Sequence, residues 1–251
     1  MRWKRGRVLI KIIELKKLEQ LEETSKLQEK IWRMGKEDVI PTHFLRAYID
    51  VVTPFGIILG AYDSQTIVGC SFTFPSSKKD VYLLHMIGVL PHYQHQKIGK
   101  QLMEKTKALA KQRGIKKLIL TYDPLESVNA NLYINKQGGI CRKYMRDYYR
   151  IENSKTHSGF PADRFQVELF IEESQKELEL KKLNNNDMIE LTIPLNFQEE
   201  KNQDINFAIE LRKKTRFILE SYINEKNYIV TSFTLDKSKN MGIYTLFPLF
   251  K

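Results

Sequence analysis

The stretch VLPHYQHQKIGKQL, from Val89 to Leu102, decides how the rest of the chain is read. It follows a run of strand character, Asp80 to Val89. It leads into a helical pattern from Ile98 to Gln112 that Arg113-Gly114 closes. The first amides of a helix lack internal partners, and the helix dipole adds positive potential there. A turn whose amides converge on that end holds a phosphate with backbone alone. Gly99 has no Cβ to obstruct such a group, and Lys97 and Lys100 add charge. Strand-turn-helix segments with one glycine are common, however, and most bind nothing.

Working outward, Val8 to Leu15 reads as a strand and Lys16 to Trp32 as a helix with Leu18, Leu21, Leu27 and Ile31 on one stripe. Pro41 suits the first turn of a second, short helix. Gly56 to Tyr62, Thr66 to Phe74 and Asp80 to Val89 read as a three-strand meander. Beyond the central helix come a buried strand (Lys117 to Tyr122), a short helix (Ser127 to Lys136) closed by glycines, and two strands (Ile140 to Arg150 and Phe165 to Ile171). Glu172 to Asp187 is polar and Asn-rich and reads as a connection. A β-α-β-β unit follows, with a helix from Asp204 to Asn224. The fold class is α/β (α+β): a mixed, mostly antiparallel sheet flanked by helices. The expected domains are 1-171, a polar linker 172-187 and a C-terminal unit 188-251.

The 251 residues, 42% hydrophobic, describe a globular chain able to bury a sizeable core. Two cysteines, Cys70 and Cys141, form no disulfide framework or metal-type spacing, which favours a reducing cytoplasm, although a bond between them stays open. The basic start (Arg2, Lys4, Arg5, Arg7) lacks an unbroken apolar run and a cleavage site, so it reads as a first strand and not a leader. No apolar run reaches the length of a membrane span. The net charge of +11 suits anionic partners, and much of it lies between Lys97 and Lys117. Nucleic acid is not expected, because the basic residues are not interleaved with aromatics and no binding motif is present.

The spacing Val89-x-Pro91-x-x-Gln94-x-x-Lys97-Ile98-Gly99 resembles the acyl-CoA-binding motif of the GCN5-related N-acetyltransferase (GNAT) superfamily, V-x-P-x-x-(Q/R)-x-x-G-x-(G/A). Lys97 stands where the first glycine usually is. The order of elements from Val8 to Ile171 is similar as well. HMIGVLP (His85 to Pro91), TYDPLESVNANLY (Thr121 to Tyr133), GFPADRFQVEL (Gly159 to Leu169) and LRKKTR (Leu211 to Arg216) resemble a subgroup of mostly uncharacterised acetyltransferases.

The resemblance implies transfer of an acyl group, by default from acetyl-CoA as co-substrate, to an amine acceptor. Amides of Gln94, His95, Gln96, Lys97, Ile98, Gly99 and Lys100 would hold the CoA pyrophosphate. Backbone groups of Ile87, Gly88 and Val89 would pair with the pantetheine arm and polarise the thioester carbonyl. The usual acid is a tyrosine four residues before the glycine that here is Gly138. Ile134 occupies that place, and Tyr133 is one residue early, about 100° round an α-helix. Tyr133 is either the acid or a packed aromatic. His85 is the first candidate base, sharing a strand face with Ile87 and Val89 by alternation, or else a half-buried histidine bonded to a neighbour. Asp123 is the second, or else a turn residue before Pro124. Asn129 contacts CoA or caps the short helix. Trp32, Pro41 and His43 fall in the region that forms the acceptor side in the superfamily, and Arg216 is a candidate contact for an acidic substrate. No metal site is expected. The alternatives are a non-catalytic acyl-CoA-binding module, favoured by Lys97 and the displaced tyrosine, and an N-succinyltransferase using a larger acyl-CoA. A homodimer is compatible with the sequence.

Overall fold

The computed structural model describes residues 9–49, 55–149, 160–184 and 186–250. The basic cluster Arg2 to Arg7, the strand start at Val8, and Arg150 and Gly159 lie outside the described residues. By its internal contacts the chain forms two compact units, Met1–Lys116 and Lys117–Lys251.

In the first unit β1 (Ile10–Glu14), β2 (Ile57–Asp63), β3 (Thr66–Pro75) and β4 (Val81–Val89) pair antiparallel in that order. Helices α1 (Leu18–Trp32) and α2 (Thr42–Ile49) cover one face. Their Leu21, Leu27 and Leu45 join Cys70, Phe72 and Phe74, alternate residues of β3, in one buried cluster. Burying Leu21 and Leu45 fully stabilises by about 2 kcal/mol each. Helix α3 (Ile98–Gln112) covers the other face, where the hydroxyls of Ser71 and Thr106 meet at 3.2 Å. With both faces covered, β2 is buried along almost its whole length, which is why it reads as a continuous apolar run.

The pairing of β3 with β4 slips by one residue. Phe72 opposes Met86 and Thr73 opposes Leu84, so His85 is the extra residue of a β-bulge.

The second unit holds β5 (Lys117–Tyr122), α4 (Ser127–Ala130), β6 (Ile140–Met145), β7 (Arg164–Phe170), α5 (Glu173–Leu180), β8 (Ile189–Pro194), α6 (Phe197–Gln203), α7 (Ile205–Leu219), β9 (Tyr228–Asp236) and β10 (Met241–Pro248). Its strands run β5-β7-β6-β9-β10-β8, all pairs antiparallel. The C-terminal strands join β6 through one bridge, Cys141 to Val230. The Asn224 side chain extends that junction: its Oδ1 accepts from Tyr144 N at 3.2 Å and its Nδ2 donates to Tyr144 O at 3.0 Å. Tyr122, Tyr144 and Tyr244 pack edge-on against Phe165 at the centre of the unit. Both cysteines are free and buried.

Much of the segment read as a polar connection is helix α5. It buries no residue and is held by charge instead, with Arg142 Nη2 donating to Glu179 at 2.6 Å. Helix α7 turns its less apolar stripe inward, burying Ala208, Arg212, Thr215 and Leu219. Arg212, 2% exposed, donates to Asp123 Oδ2 at 2.5 Å and lies 3.5 Å from Asp163. Arg216 Nε and Nη2 donate to the two oxygens of Asp163 at 2.9 and 2.7 Å, and Tyr144 Oη donates to the same carboxylate.

Burial opposes ionisation of Asp163, but the Arg216 hydrogen bonds and the Arg212 charge outweigh it and hold its pKa below the usual carboxylate value. Its contribution to stability is therefore full above the unfolded pKa near 3.9 and is lost as pH falls through the lowered folded value. Asp163→Asn, which takes the anion from the partly buried Arg216 and leaves the buried Arg212 with Asp123 alone, is expected to lower unfolding free energy by about 3–5 kcal/mol at pH 7. Denaturant titrations on parent and variant should converge as pH falls from neutral through the lowered folded value. An equal gap at both ends of that range would refute the assignment.

Candidate active site

The turn before α3 is pinned on both sides. Leu90 N donates to Val68 O at 2.9 Å, and Pro91–Tyr93 form a single 3-10 turn. Tyr93 Oη donates to Asp63 Oδ2 at 2.9 Å, and Gln94 Nε2 donates to Val89 O at 3.2 Å. The motif glutamine thus ties the loop back to the end of β4. On the far side Ile98 is 1% exposed, and Lys97 O accepts the first helical bond from Gln101 N at 3.0 Å.

Between these pins the backbone is in unusual conformations. His95 has φ 62° and Lys97 φ 65°, both left-handed. A side chain there costs about 1–2 kcal/mol, which gives the physical reason for glycine at the Lys97 position of the motif. In return, none of the amides from His95 to Lys100 has a hydrogen-bond partner among the described residues. They form a row of free donors at the N-terminus of a 15-residue helix with no acid in its first turn. A Cβ built on Gly99 would meet nothing within 4 Å. Lys97 is exposed and unpaired among the described residues, whereas Lys100 lies 3.5 Å from Glu104, both exposed.

The bulge corrects the expected placement of His85. Ile87 opposes Ser71, whose hydroxyl faces α3, so Ile87 belongs to that face. The His85 ring instead lies 6.0 Å from Phe74, which packs against Phe44 and Tyr48 of α2. Because of the extra residue, His85 stands with Met86 on the α1/α2 face and does not share one with Ile87 and Val89. Gly88 lies under Trp32: a Cβ there would come within 2.5 Å of the indole. His85 is exposed, yet the protein packed on its inner side disfavours the charged form and holds its pKa below the usual 6.5.

In the second unit Asp123, Asn129 and Tyr133 lie on one continuous segment. Both Asp123 oxygens are engaged, Oδ1 by Leu125 N at 2.9 Å and Oδ2 by Arg212. Asn129 is half-buried. The short helix is not α throughout: Asn131–Lys136 form a π-helical turn, with Gln137 N donating to Leu132 O, five residues back, at 3.1 Å. A π turn holds one more residue than an α turn, so it absorbs the one-residue offset between Tyr133 and Gly138. Gly139 N then closes on Tyr133 O at 2.8 Å, an approach so close that a Cβ on Gly139 would come within 2.7 Å of that oxygen. Tyr133 is 7% exposed, stacks at 5.6 Å on Tyr122, and has its pKa raised by burial. Arg216 does not await a substrate, because Asp163 occupies it. Of the supporting residues, Arg212 is marked in the sequence only as part of the less apolar stripe Ile205, Ala208/Ile209, Arg212 and Thr215/Arg216; Asp163 and Tyr244 were not singled out. Among the described residues no group of three or more His, Cys, Asp or Glu could hold a metal ion, and no helix is long and apolar enough to cross a membrane.

Residues 18–138, just under half the chain, match the acetyltransferase (GNAT) family model. The chain carries a GNAT acetyltransferase domain. Its antiparallel strands flanked by helices match the GNAT fold, and the family places it among the transferases. Similar solved structures include an acetyltransferase of the GNAT family from Streptococcus pneumoniae (16% identity, 65% of this chain and 100% of that one, TM-score 0.54). The ribosomal-protein-S18-alanine N-acetyltransferase from Escherichia coli is similar too (17% identity, 65% and 94% covered, TM-score 0.52). So is an aminoglycoside 6'-acetyltransferase type Ii (16% identity, 65% and 97% covered, TM-score 0.51). At these identities the likeness is one of fold. No curated protein matches the sequence.

Two substitutions probe the GNAT loop. Lys97→Gly relieves the left-handed strain, so stability should hold or rise by up to about 1 kcal/mol, with CoA affinity within a few-fold of the parent. Gly99→Glu should melt no lower than the parent, since its Cβ meets open space, yet lose about 100-fold or more in CoA affinity by calorimetry. Parent-like binding by Gly99→Glu would sink the loop assignment.

Proposed function

We propose that the protein is an acyl-CoA-dependent N-acyltransferase that moves acetyl from acetyl-CoA to a primary amine of a small molecule or amino acid. The observation that carries this reading is the row of unengaged amides from His95 to Lys100, held open by two left-handed residues. Such a row suits a diphosphate, and Gly99 leaves the approach clear. The names of two similar folds support an amine acceptor: one acts on an alanine of a ribosomal protein, the other on an aminoglycoside.

In this reading His85 is the base. Its lowered pKa keeps the imidazole neutral near pH 7, able to take the proton of the attacking ammonium. The freed amine nitrogen bonds to the acyl carbon, gives up its second proton to water, and the carbon–sulfur bond breaks so that the thiolate leaves. A backbone N–H between Ile87 and Val89 stabilises the oxygen that gains charge. Tyr133 is the proton donor to the thiolate: burial keeps its proton on at neutral pH but also makes it a weak acid, so water can share this role. Asp123, with both oxygens engaged, is assigned to positioning. Asn129 is a polar contact for the donor. We place the protein in the cytoplasm, a reading supported by its free, buried cysteines.

Calorimetry with acetyl-CoA followed by thiol release across a panel of amines tests the proposal. Binding plus release is expected; tight binding with no release for any amine would convert the reading to a non-catalytic acyl-CoA module. With an active amine, kcat/KM should rise with pH through a limb centred below the usual histidine pKa of about 6.5, since only the neutral base works. His85→Ala should remove that limb and reduce kcat by about 10²–10⁴-fold.

A further inference from the structure

The segment Asp123 to Ser127, which carries the chain from β5 into the helix of Asn129 and Tyr133, is held almost residue by residue from the C-terminal part of its own unit. Asp123 accepts from Arg212 of α7 at 2.5 Å. Pro124 O accepts from Tyr244 Oη of β10 at 2.8 Å. Glu126 accepts from Gln198 of α6. Ser127 Oγ donates to Leu195 O, just past β8, at 2.7 Å. Two of the anchors are buried. Tyr244 is fully buried between Phe165 and Phe233, and Arg212 lies over the Phe160 ring at 5.0 Å. A second route reaches the same helix: Tyr122 Oη and Tyr244 Oη are 3.2 Å apart, and Tyr122 stacks on Tyr133.

We propose that residues 189–250 are a built-in buttress for the Tyr133 turn, and that Tyr244 and Arg212 are positioning residues for it. The functional half of this statement rests on the acyltransferase reading; the structural half does not. Tyr133 sits in a π turn whose backbone bonds are out of α register. Restraint comes from elements distant in sequence: Leu195, Gln198, Arg212 and Tyr244 bond to four of the five consecutive residues 123–127. An appendage that only added stability would not need to address the one segment leading to a candidate proton donor.

Tyr244→Phe is the test variant, because it deletes both hydroxyl contacts and leaves the ring in the core. Amide hydrogen exchange should rise about tenfold or more across residues 125–137 and stay at parent levels in β7. In an amine assay kcat should fall about tenfold with KM for acetyl-CoA within about threefold. In a Tyr133→Phe background the same substitution should add nothing to the loss in kcat, since a residue acting through Tyr133 has no further effect once that hydroxyl is gone. Arg212→Lys, which keeps a cation between the two carboxylates, is the second variant and should show the same exchange pattern. Unchanged exchange over 125–137, or a general rise through β7, overturns the buttress whatever the activity. Full additivity with Tyr133→Phe overturns the positioning role. If no amine supports turnover, the acyltransferase reading falls and the exchange pattern still decides the buttress.

Discussion

One guanidinium, that of Arg212, sets the arrangement of the second unit. It is almost fully buried, it lies between Asp123 and Asp163, and its Nε has no partner among the described residues. Taking a cation and two carboxylates out of water costs several kcal/mol per ion unless the geometry returns it. Here it is returned only when three stretches meet: the end of β5, the residue before β7 and the inner stripe of α7. Arg216 and Tyr144 complete the Asp163 shell. An apolar stripe would tolerate helix α7 sliding or rotating; this ionic group accepts one register. The interaction therefore contributes more to the uniqueness of the packing than to its net strength.

The loop before α3 follows the opposite logic. Left-handed His95 and Lys97 together raise the energy of the folded chain by about 2–4 kcal/mol. They persist because Tyr93, Gln94 and Ile98 are each fixed by a partner or by burial, so the backbone between them has little choice. What the strain secures is the outward aim of the His95 to Lys100 amides. Strain is concentrated where an anion would reward it, while the charged group in the second unit is satisfied internally and offers nothing to a ligand.

How far the sequence could be read follows from what each element uses to hold itself. Strands β2 to β5 and helix α3 were legible because apolar periodicity and terminal glycines mark them, and Ile98 to Gln112 and Lys117 to Tyr122 fall where the pattern puts them. Helices α5 and α6 were not. The first buries no residue and the second buries only Phe197, so neither carries a stripe. The strand-turn-helix around the loop was legible from its pattern. Its free amides were not, because their freedom depends on left-handed conformations that no residue type at 95 or 97 announces. Arg212 was visible only as a polar interruption on α7; its partners lie 89 and 49 positions away, beyond the reach of local pattern.

The three departures from expectation share a cause. Lys97 stands in place of a glycine, Tyr133 is one residue early, and His85 falls on the wrong face for its alternation. In each case the side chains are conventional and the backbone has changed: a left-handed residue at Lys97, a π turn after Tyr133, a bulge at His85. A bulge and a π turn each insert one residue without moving the ends of the element. A residue-by-residue comparison counts either insertion as a mismatch; the bulge puts His85 on the other face, whereas the π turn makes up the residue between Tyr133 and Gly138. For Tyr133 this means that the offset from Gly138 is not an argument against its role as the acid. The weak point moves from the tyrosine's position to its stiffness, and stiffness is what Tyr244 and Arg212 are arranged to supply.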